Sequence, residues 1–455
     1  MRTAILLALV AFAVYMSSFR TIASVDPDTN ALLAYSLVRD RDPYLDEFAA
    51  ERDRISFWSF VQDGHLVAPY PPGAALFATP LVATGVAAGI VPPQTAAITI
   101  VAKSAGALAA AMSVAFVFLL AARVSGRRLG LLVASLYAFG TVTWPISAGA
   151  LWQHGPAQLF LAAGLLWSYP GSPAPWAARS GLAFAIATVC RLSDALYAAA
   201  AFAYVAVARR PILARFVVWA APAAIALLAY DVLVFHDPFD LRYLTYNFNP
   251  TGERNPLVGV AGNLVAPNRG LFVYSPFLVF AAYELLRRSW KRERLAAFVA
   301  PQMAAAGLAL VLYGASTDWW GGYGYGNRYL ADALPLFALG LALWLRRNRR
   351  DIRARIALAV TAVPSVIVAA LGAMFYDWTS WSWERSRDLS QAALQWSLDP
   401  TQIGYTASRV ARALDAVSWI GLATATASAL LLVRLWSSRR PRRSRPLPSL
   451  RESPA

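Results

Sequence analysis

The sequence predicts an all-α polytopic membrane protein with about 12 transmembrane helices (range roughly 11–13) and juxtamembrane helices in its first outer loop. Three observations carry that prediction. The 455 residues are 58% hydrophobic and 15% charged. Apolar runs of crossing length recur from one end of the chain to the other. Arginines collect in short segments between those runs, as in cytoplasmic loops that face anionic lipid. A body immersed in lipid must satisfy its backbone internally, and runs this long suit helices rather than the short alternating strands of a barrel. The net charge of +16 belongs to this loop bias, so membrane lipids rather than nucleic acid are the expected partners. One cysteine, Cys190, excludes an intrachain disulfide.

Taken in order, Arg2 precedes the first run, 3–19, and places the amino terminus in the cytoplasm. That run lacks a small-residue cleavage site and reads as a retained span. The loop 21–93 is then outside. Its last part, 73–90, is apolar enough to cross, but 94–122 follows at once and ends in the basic turn RVSGRR at 123–128. An interfacial or re-entrant 73–90 keeps that turn and all later basic segments cytoplasmic. Pro71, Pro72, Pro92 and Pro93 stop a helix at both of its boundaries. The remaining spans alternate through 129–148, 156–169, 181–190, 195–208, 212–234, 274–286, 295–313, 330–345, 356–375 and 417–436. Both termini are thus cytoplasmic, in the inner membrane, with a single transmembrane domain over 1–435 and a basic, disordered tail over 436–455. No internal repeat stands out. The outer loops are the longer ones and hold most of the Asp, Asn, Trp and Tyr, which puts function at the extracytoplasmic face.

The first outer loop is the most informative stretch. Between Ser24 and Gly73 it carries nine of the 25 carboxylates, more than a plain turn between spans needs. Asp26 and Asp28 follow the first span closely. Such a pair suits a general base, or a clamp on a divalent cation such as Mg or Mn. The plainer alternative for Asp28 is a helix cap, and spacing does not decide which of the two would be the base. Asp46 and Glu47 form a second acidic pair. His65, His154 and His236 are all expected outside and could converge, but three histidines alone are weak grounds for a zinc centre. Lys103 lies deep in an apolar helix, where a cation needs protein, water or a phosphate beside it. Arg191 and Asp194 share a helix-to-helix turn, either as an ion pair or in contact with substrate. Arg269 and Arg328 stand among turn residues and glycines, and the guanidinium fork fits a phosphate. Trp320 and Tyr325, in the loop before Arg328, could stack on a sugar ring; Tyr70 lies in the turn YPPG at 70–73.

Those features together resemble the GT-C superfamily of integral membrane glycosyltransferases, especially bacterial relatives of the protein O-mannosyltransferases and of the aminoarabinose transferase for lipid A. The likeness rests on the acidic first loop, on YPPG opening an apolar helix, on the long span ending at AARVSGRR (121–128), and on WGGYGYGNRYL (320–330). The resemblance implies a transferase that uses a polyprenyl-phosphate sugar and a hydroxyl-bearing lipid, glycan or protein acceptor. It makes Asp28 or Asp26 the base, matches Asp46 and Glu47 to a second acidic pair, and puts Arg269 and Arg328, with Lys103, near the donor phosphate. Tyr70, His65, His154, Arg191, Trp320 and Tyr325 would line the substrate site. No large carboxy-terminal soluble domain is present, which favours a lipid or glycolipid acceptor over a protein. A transporter or flippase of lipid-linked saccharides would explain the spans equally well, though not the acidic loop. A non-catalytic scaffold would not need the two arginines.

Overall fold

The structure, a computed structural model, describes residues 1–428 apart from 19, 22–23, 52–57, 92–93, 241, 243–254, 292, 378–380, 382–388, 400, 411–418, 420, 422 and 425–426. The tail 436–455 lies outside the described residues, as does most of the expected last span, 417–436. The chain is a multi-pass α-helical membrane protein. Helix α1 (Arg2–Met16) leads to α2 (Val25–Arg39), then a short 3-10 segment at Asp46–Glu51. Next come α3 (Gly73–Ala87), α4 (Thr95–Ser125), α5 (Arg127–Phe139), α6 (His154–Ser168), α7 (Ala174–Cys190), α8 (Ala195–Ala208) and α9 (Leu213–Phe235). The later half comprises α10 (Pro256–Val265), α11 (Leu271–Tyr274), α12 (Leu278–Ser289), α13 (Arg294–Gly314), α14 (Leu334–Arg347), α15 (Ile352–Phe375), α16 (Gln391–Trp396) and α17 (Gln402–Ser408).

Four helices among the described residues are long and apolar enough to cross a bilayer: Thr95–Ser125, Arg210–Phe235, Arg294–Gly314 and Ile352–Phe375. That departs from the expected dozen. The remaining apolar helices are shorter because polar or glycine-rich turns cut the runs. The expected span 129–148 ends at Phe139, and a π-helical turn at Thr143–Ser147 follows, with Pro145 inside it. Elsewhere the helix is longer than the run: 181–190 is the end of the 17-residue α7.

Helix α4 is the axis of the amino-terminal half. Its 31 residues span about 46 Å at 1.5 Å each. Small residues let neighbours approach its backbone. A Cβ on Gly106 would lie 2.4 Å from the Ala150 carbonyl oxygen, so the segment after α5 packs directly on it. Helix α14 is buried at every position from Leu334 to Leu345, and its sequence is apolar all round, as a central helix must be. By contrast α9 and α15 leave Val218, Ile225, Val360 and Val363 exposed on faces that suit lipid.

The segment between α1 and α4 is not purely helical. Phe60–Gln62 (β1) and His65–Val67 (β2) form an antiparallel hairpin, with Phe60 opposite Val67. Its two-residue turn is Asp63-Gly64, both at positive φ (51° and 85°), the conformation that an Asp-Gly pair adopts most easily. The loop packs back on the helices: a Cβ on Gly73 would lie 2.5 Å from the Cys190 amide nitrogen, so α3 begins against the end of α7. Cys190 is buried there as a free thiol.

Candidate active site

Asp26 and Asp28 stand in the first turn of α2, where carboxylates favour the positive end of the helix dipole. Neither caps the helix; Ser24 holds that position, and the Asp28 amide donates to the Ser24 carbonyl. The start of α2 is fixed from the side. Thr29 Oγ1 accepts from the Trp58 amide at 2.8 Å, and Asn30 Nδ2 donates to the Leu151 carbonyl at 3.1 Å.

The two carboxyls live in different surroundings. Asp26 is engaged at both oxygens: the Tyr70 hydroxyl donates to Oδ1 at 2.7 Å, and Arg328 Nη1 donates to Oδ2 at 2.5 Å. Asp28 is 9% exposed, and its carboxyl makes no hydrogen bond among the described residues. Burial first, and then the neighbouring Asp26 charge, push its pKa from the ordinary 3.8 up to about 7. A carboxyl poised near neutrality beside an ionised, oriented partner is the arrangement proton transfer requires.

Arg328 arrives from a glycine loop. Gly321, Gly322 and Gly326 all have positive φ (76°, 65° and 70°). A Cβ on Gly321 would also lie 3.0 Å from Arg328 Cγ. The guanidinium lies over Trp152 (4.7 Å to the ring centroid) and beside Tyr329 (5.4 Å). Arg269 holds the loop itself. It is 1% exposed and donates from Nη1 to the Gly324 carbonyl at 2.6 Å and from Nη2 to the Gly322 carbonyl at 2.7 Å. Gln402 completes the latch: its Oε1 accepts from Arg269, Tyr274 and the Gly326 amide. Tyr325 is fully buried between Tyr274 and Tyr376, with ring centroids 5.2 and 5.1 Å away, so its ring packs in the interior. Trp320 is half-buried and meets Trp319 edge-on.

A buried cluster of charges lies behind Arg328. Arg191 forms an ion pair with Asp332, outside the turn it shares with Asp194. His154 Nδ1 is 3.2 Å from both Asp332 oxygens and 3.3 Å from Arg191 Nη1. Lys103, also buried, donates to the Ser18 hydroxyl at 3.0 Å and to the Arg20 carbonyl, and so ties the end of α1 to α4.

The three histidines do not converge. His65 pairs with Asp46 at 2.6 Å, and the Tyr44 ring stacks on it at 4.2 Å. His236 pairs with Asp63 at 2.6 Å. Both pairs are exposed on the hairpin. Glu47 accepts from Ser36, and burial raises its pKa against that bond. No group of three His, Cys, Asp or Glu able to hold a metal occurs among the described residues. At Asp26 and Asp28 a divalent cation would first have to displace Arg328.

A shallow cleft opens beside Tyr70, walled also by Leu192, Leu227, Asp231, Phe235 and Asp240. Neither Arg269 nor Arg328 lines that cleft. Sequence reasoning missed Asp332, Trp152, Tyr329 and Gln402. Of these only Asp332 left a signal: a carboxylate at the threshold of an apolar helix.

A multi-pass helical membrane protein in which a carboxylate of the first loop meets an arginine of a late glycine loop is the class these features define. Comparison with solved structures gives the particular fold. The chain is similar to ArnT from Cupriavidus metallidurans bound to undecaprenyl phosphate, at 15% identity, covering 96% of this chain and 77% of that one with a TM-score of 0.52. It also matches the apo state of the same protein (15% identity, 95% and 76% covered, TM-score 0.48). A third match is an Archaeoglobus fulgidus oligosaccharyltransferase tethered to an acceptor peptide (11% identity, 88% and 59% covered, TM-score 0.48). No protein-family model and no curated protein matches. The chain therefore shares the fold of the undecaprenyl-phosphate-bound ArnT structure, a polytopic all-α fold of the kind the resemblance implied.

Proposed function

We propose that the protein is an inverting glycosyltransferase that moves a monosaccharide from a polyprenyl-phosphate donor to a hydroxyl-bearing lipid, glycan or protein acceptor at the extracytoplasmic face. The observation that carries this reading is the unequal carboxyl pair: Asp28 buried, without a hydrogen bond and titrating at about 7, next to an Asp26 fixed by Arg328 and Tyr70. The fold shared with ArnT supports it. So does the structure of that protein with undecaprenyl phosphate, which supplies the class of lipid.

In this reading Asp28 is the base. It takes the proton of the acceptor hydroxyl, the oxygen attacks the anomeric carbon from the face opposite the leaving group, and the bond to the lipid phosphate breaks. Configuration inverts in a single displacement. Arg328 engages the departing phosphate, whose developing charge is what a preorganised guanidinium stabilises. Arg269 acts from behind, by holding the loop that carries Arg328. The topology that fits is about 12 crossings with several short or tilted helices and both termini cytoplasmic, in the inner membrane.

The test is to incubate purified protein in nanodiscs with a panel of polyprenyl-phosphate sugars and measure released polyprenyl phosphate. Release that disappears in Asp28→Asn supports the assignment; release that survives it removes Asp28 as the base. The buried Arg191–Asp332 ion pair, with His154 beside it, is a feature that also suits a flippase of lipid-linked saccharides. That reading gains if the same nanodiscs release no lipid phosphate while liposomes with the protein move the intact lipid-linked sugar between leaflets.

A further inference from the structure

We propose that Asp332 is a positioning residue for Arg328: through Arg191 and His154 it fixes the aromatic seat on which the Arg328 guanidinium lies. The inference rests on the transferase reading and deepens it.

Arg328 reaches Asp26 across the faces of two rings, Trp152 and Tyr329. Both rings abut the cluster behind them. Tyr329 is stacked on Tyr313 with 4.2 Å between centroids and 10° between planes. Arg191 lies 4.7 Å from the Tyr313 centroid and 5.8 Å from that of Tyr329. Trp152 is 6.4 Å from the His154 ring. Arg191 and Arg328 thus both face Tyr329, two cations near one ring. They tolerate each other because each has its own carboxylate, Asp332 for Arg191 and Asp26 for Arg328. At 3% and 4% side-chain exposure, the Asp332–Arg191 pair is shielded from water, where unbalanced charge costs most.

The same segment is anchored at its ends by neutral bonds. The Ala331 amide donates to the Arg328 carbonyl at 3.0 Å, Gln158 Nε2 to the Ala331 carbonyl at 2.6 Å, and Asn327 Nδ2 to the Asn263 carbonyl at 2.7 Å. These bonds hold the backbone in place when the Asp332 charge is removed. What changes is the seat. Arg191 loses its carboxylate, and repulsion between the two guanidiniums across Tyr329 is no longer offset. With Asp332 neutral, Arg191 can turn instead toward the nearby Asp194, whose buried Oδ2 has no hydrogen-bond partner among the described residues, and so leaves the rings. Arg328 then loses its fixed direction toward the phosphate.

The experiment uses the full chain in nanodiscs, with undecaprenyl phosphate as the binding probe and sugar transfer as the second readout. Wild type, Asp332→Asn, Arg328→Lys and the double variant are compared, together with His154→Gln in case Asp332→Asn fails to fold. Asp332→Asn is expected to weaken undecaprenyl phosphate binding roughly tenfold, the scale of a misplaced recognition group, and to lower the unfolding temperature because Arg191 stays buried without its carboxylate. In the double variant the loss should not exceed that of Arg328→Lys alone, because both changes act through the same guanidinium. His154→Gln should give a smaller loss of the same kind. Losses that multiply in the double variant overturn the proposal, as does wild-type binding in both Asp332→Asn and His154→Gln while Arg328→Lys is weak. Wild-type binding in Arg328→Lys itself instead overturns the donor-site reading on which the proposal rests.

Discussion

Replacing Asp28 by asparagine should make the protein more stable and inactive at once. The carboxyl titrates at about 7 in the folded chain against 3.8 when unfolded, chiefly because it is buried. Below pH 4 both states hold the proton and the residue is neutral in its effect. Between 4 and 7 the unfolded chain ionises while the folded chain does not, so stability falls as pH rises. Above 7 both are ionised, and the folded state carries the whole desolvation cost, about 4 kcal/mol for a displacement of this size. Asparagine keeps the shape and removes the charge. Its advantage over wild type should therefore be absent near pH 4, grow through the neutral range and level off above pH 8. The assay is the unfolding temperature of both proteins in one detergent from pH 4 to pH 9, beside lipid-phosphate release at each pH. An unfolding temperature for Asp28→Asn that does not exceed wild type at pH 9 would show that Asp28 is not held in the apolar surroundings described. Undiminished release by the variant would refute its role as base even if the stability result agreed.

Tyr70→Phe removes one hydrogen bond to Asp26, worth about 1–2 kcal/mol for a charged acceptor, and should slow transfer modestly while leaving Asp28 to set a pH profile that rises through about 7. A profile unchanged in both rate and midpoint would separate Tyr70 from the site. Arg269→Lys loses the forked contact with the Gly322 and Gly324 carbonyls; thermal unfolding should show a loss of roughly 2–4 kcal/mol, and protease should cut the 320–326 loop sooner. Lys103→Met leaves behind only neutral partners, Ser18 and the Arg20 carbonyl, so stability should change little or rise, as when a buried charge is replaced by an apolar side chain. Weaker undecaprenyl phosphate binding by Lys103→Met would show in the same titration that the ammonium reaches the donor.

How much of this was legible beforehand differs from residue to residue. The helical membrane body was plain from apolar runs and from arginine placement, both local properties of the chain. The importance of the first loop was legible from its acidity. Its hairpin was less so: Asp63-Gly64 is a strong turn signal, but the strands it joins are three residues each and too short to show alternation. Helix ends were the weak point. A run such as 129–148 looks continuous in hydropathy, and only the packing around Gly140 and Pro145 breaks it. Arg328 could be picked out as an arginine in need of a partner, yet nothing in the sequence says that the partner is Asp26, 302 residues earlier. Arg269 looked much the same on the page. The fold separates the two, turning one toward a carboxylate and the other onto loop carbonyls. Gln402 and Asp332 escaped notice because a single amide or carboxylate beside an apolar stretch has no periodicity to mark it.

The latch that joins Gln402 to Arg269 and the Gly326 amide bears on biogenesis. Ribosomes deliver the acidic loop early and its guanidinium counterpart hundreds of residues later, with the clasp for the glycine loop later still. Until that last portion has emerged, the loop that carries Arg328 lacks its clasp, and Asp26 stands without a fixed counter-charge. A nascent chain arrested before α17 would be inserted and helical yet inert.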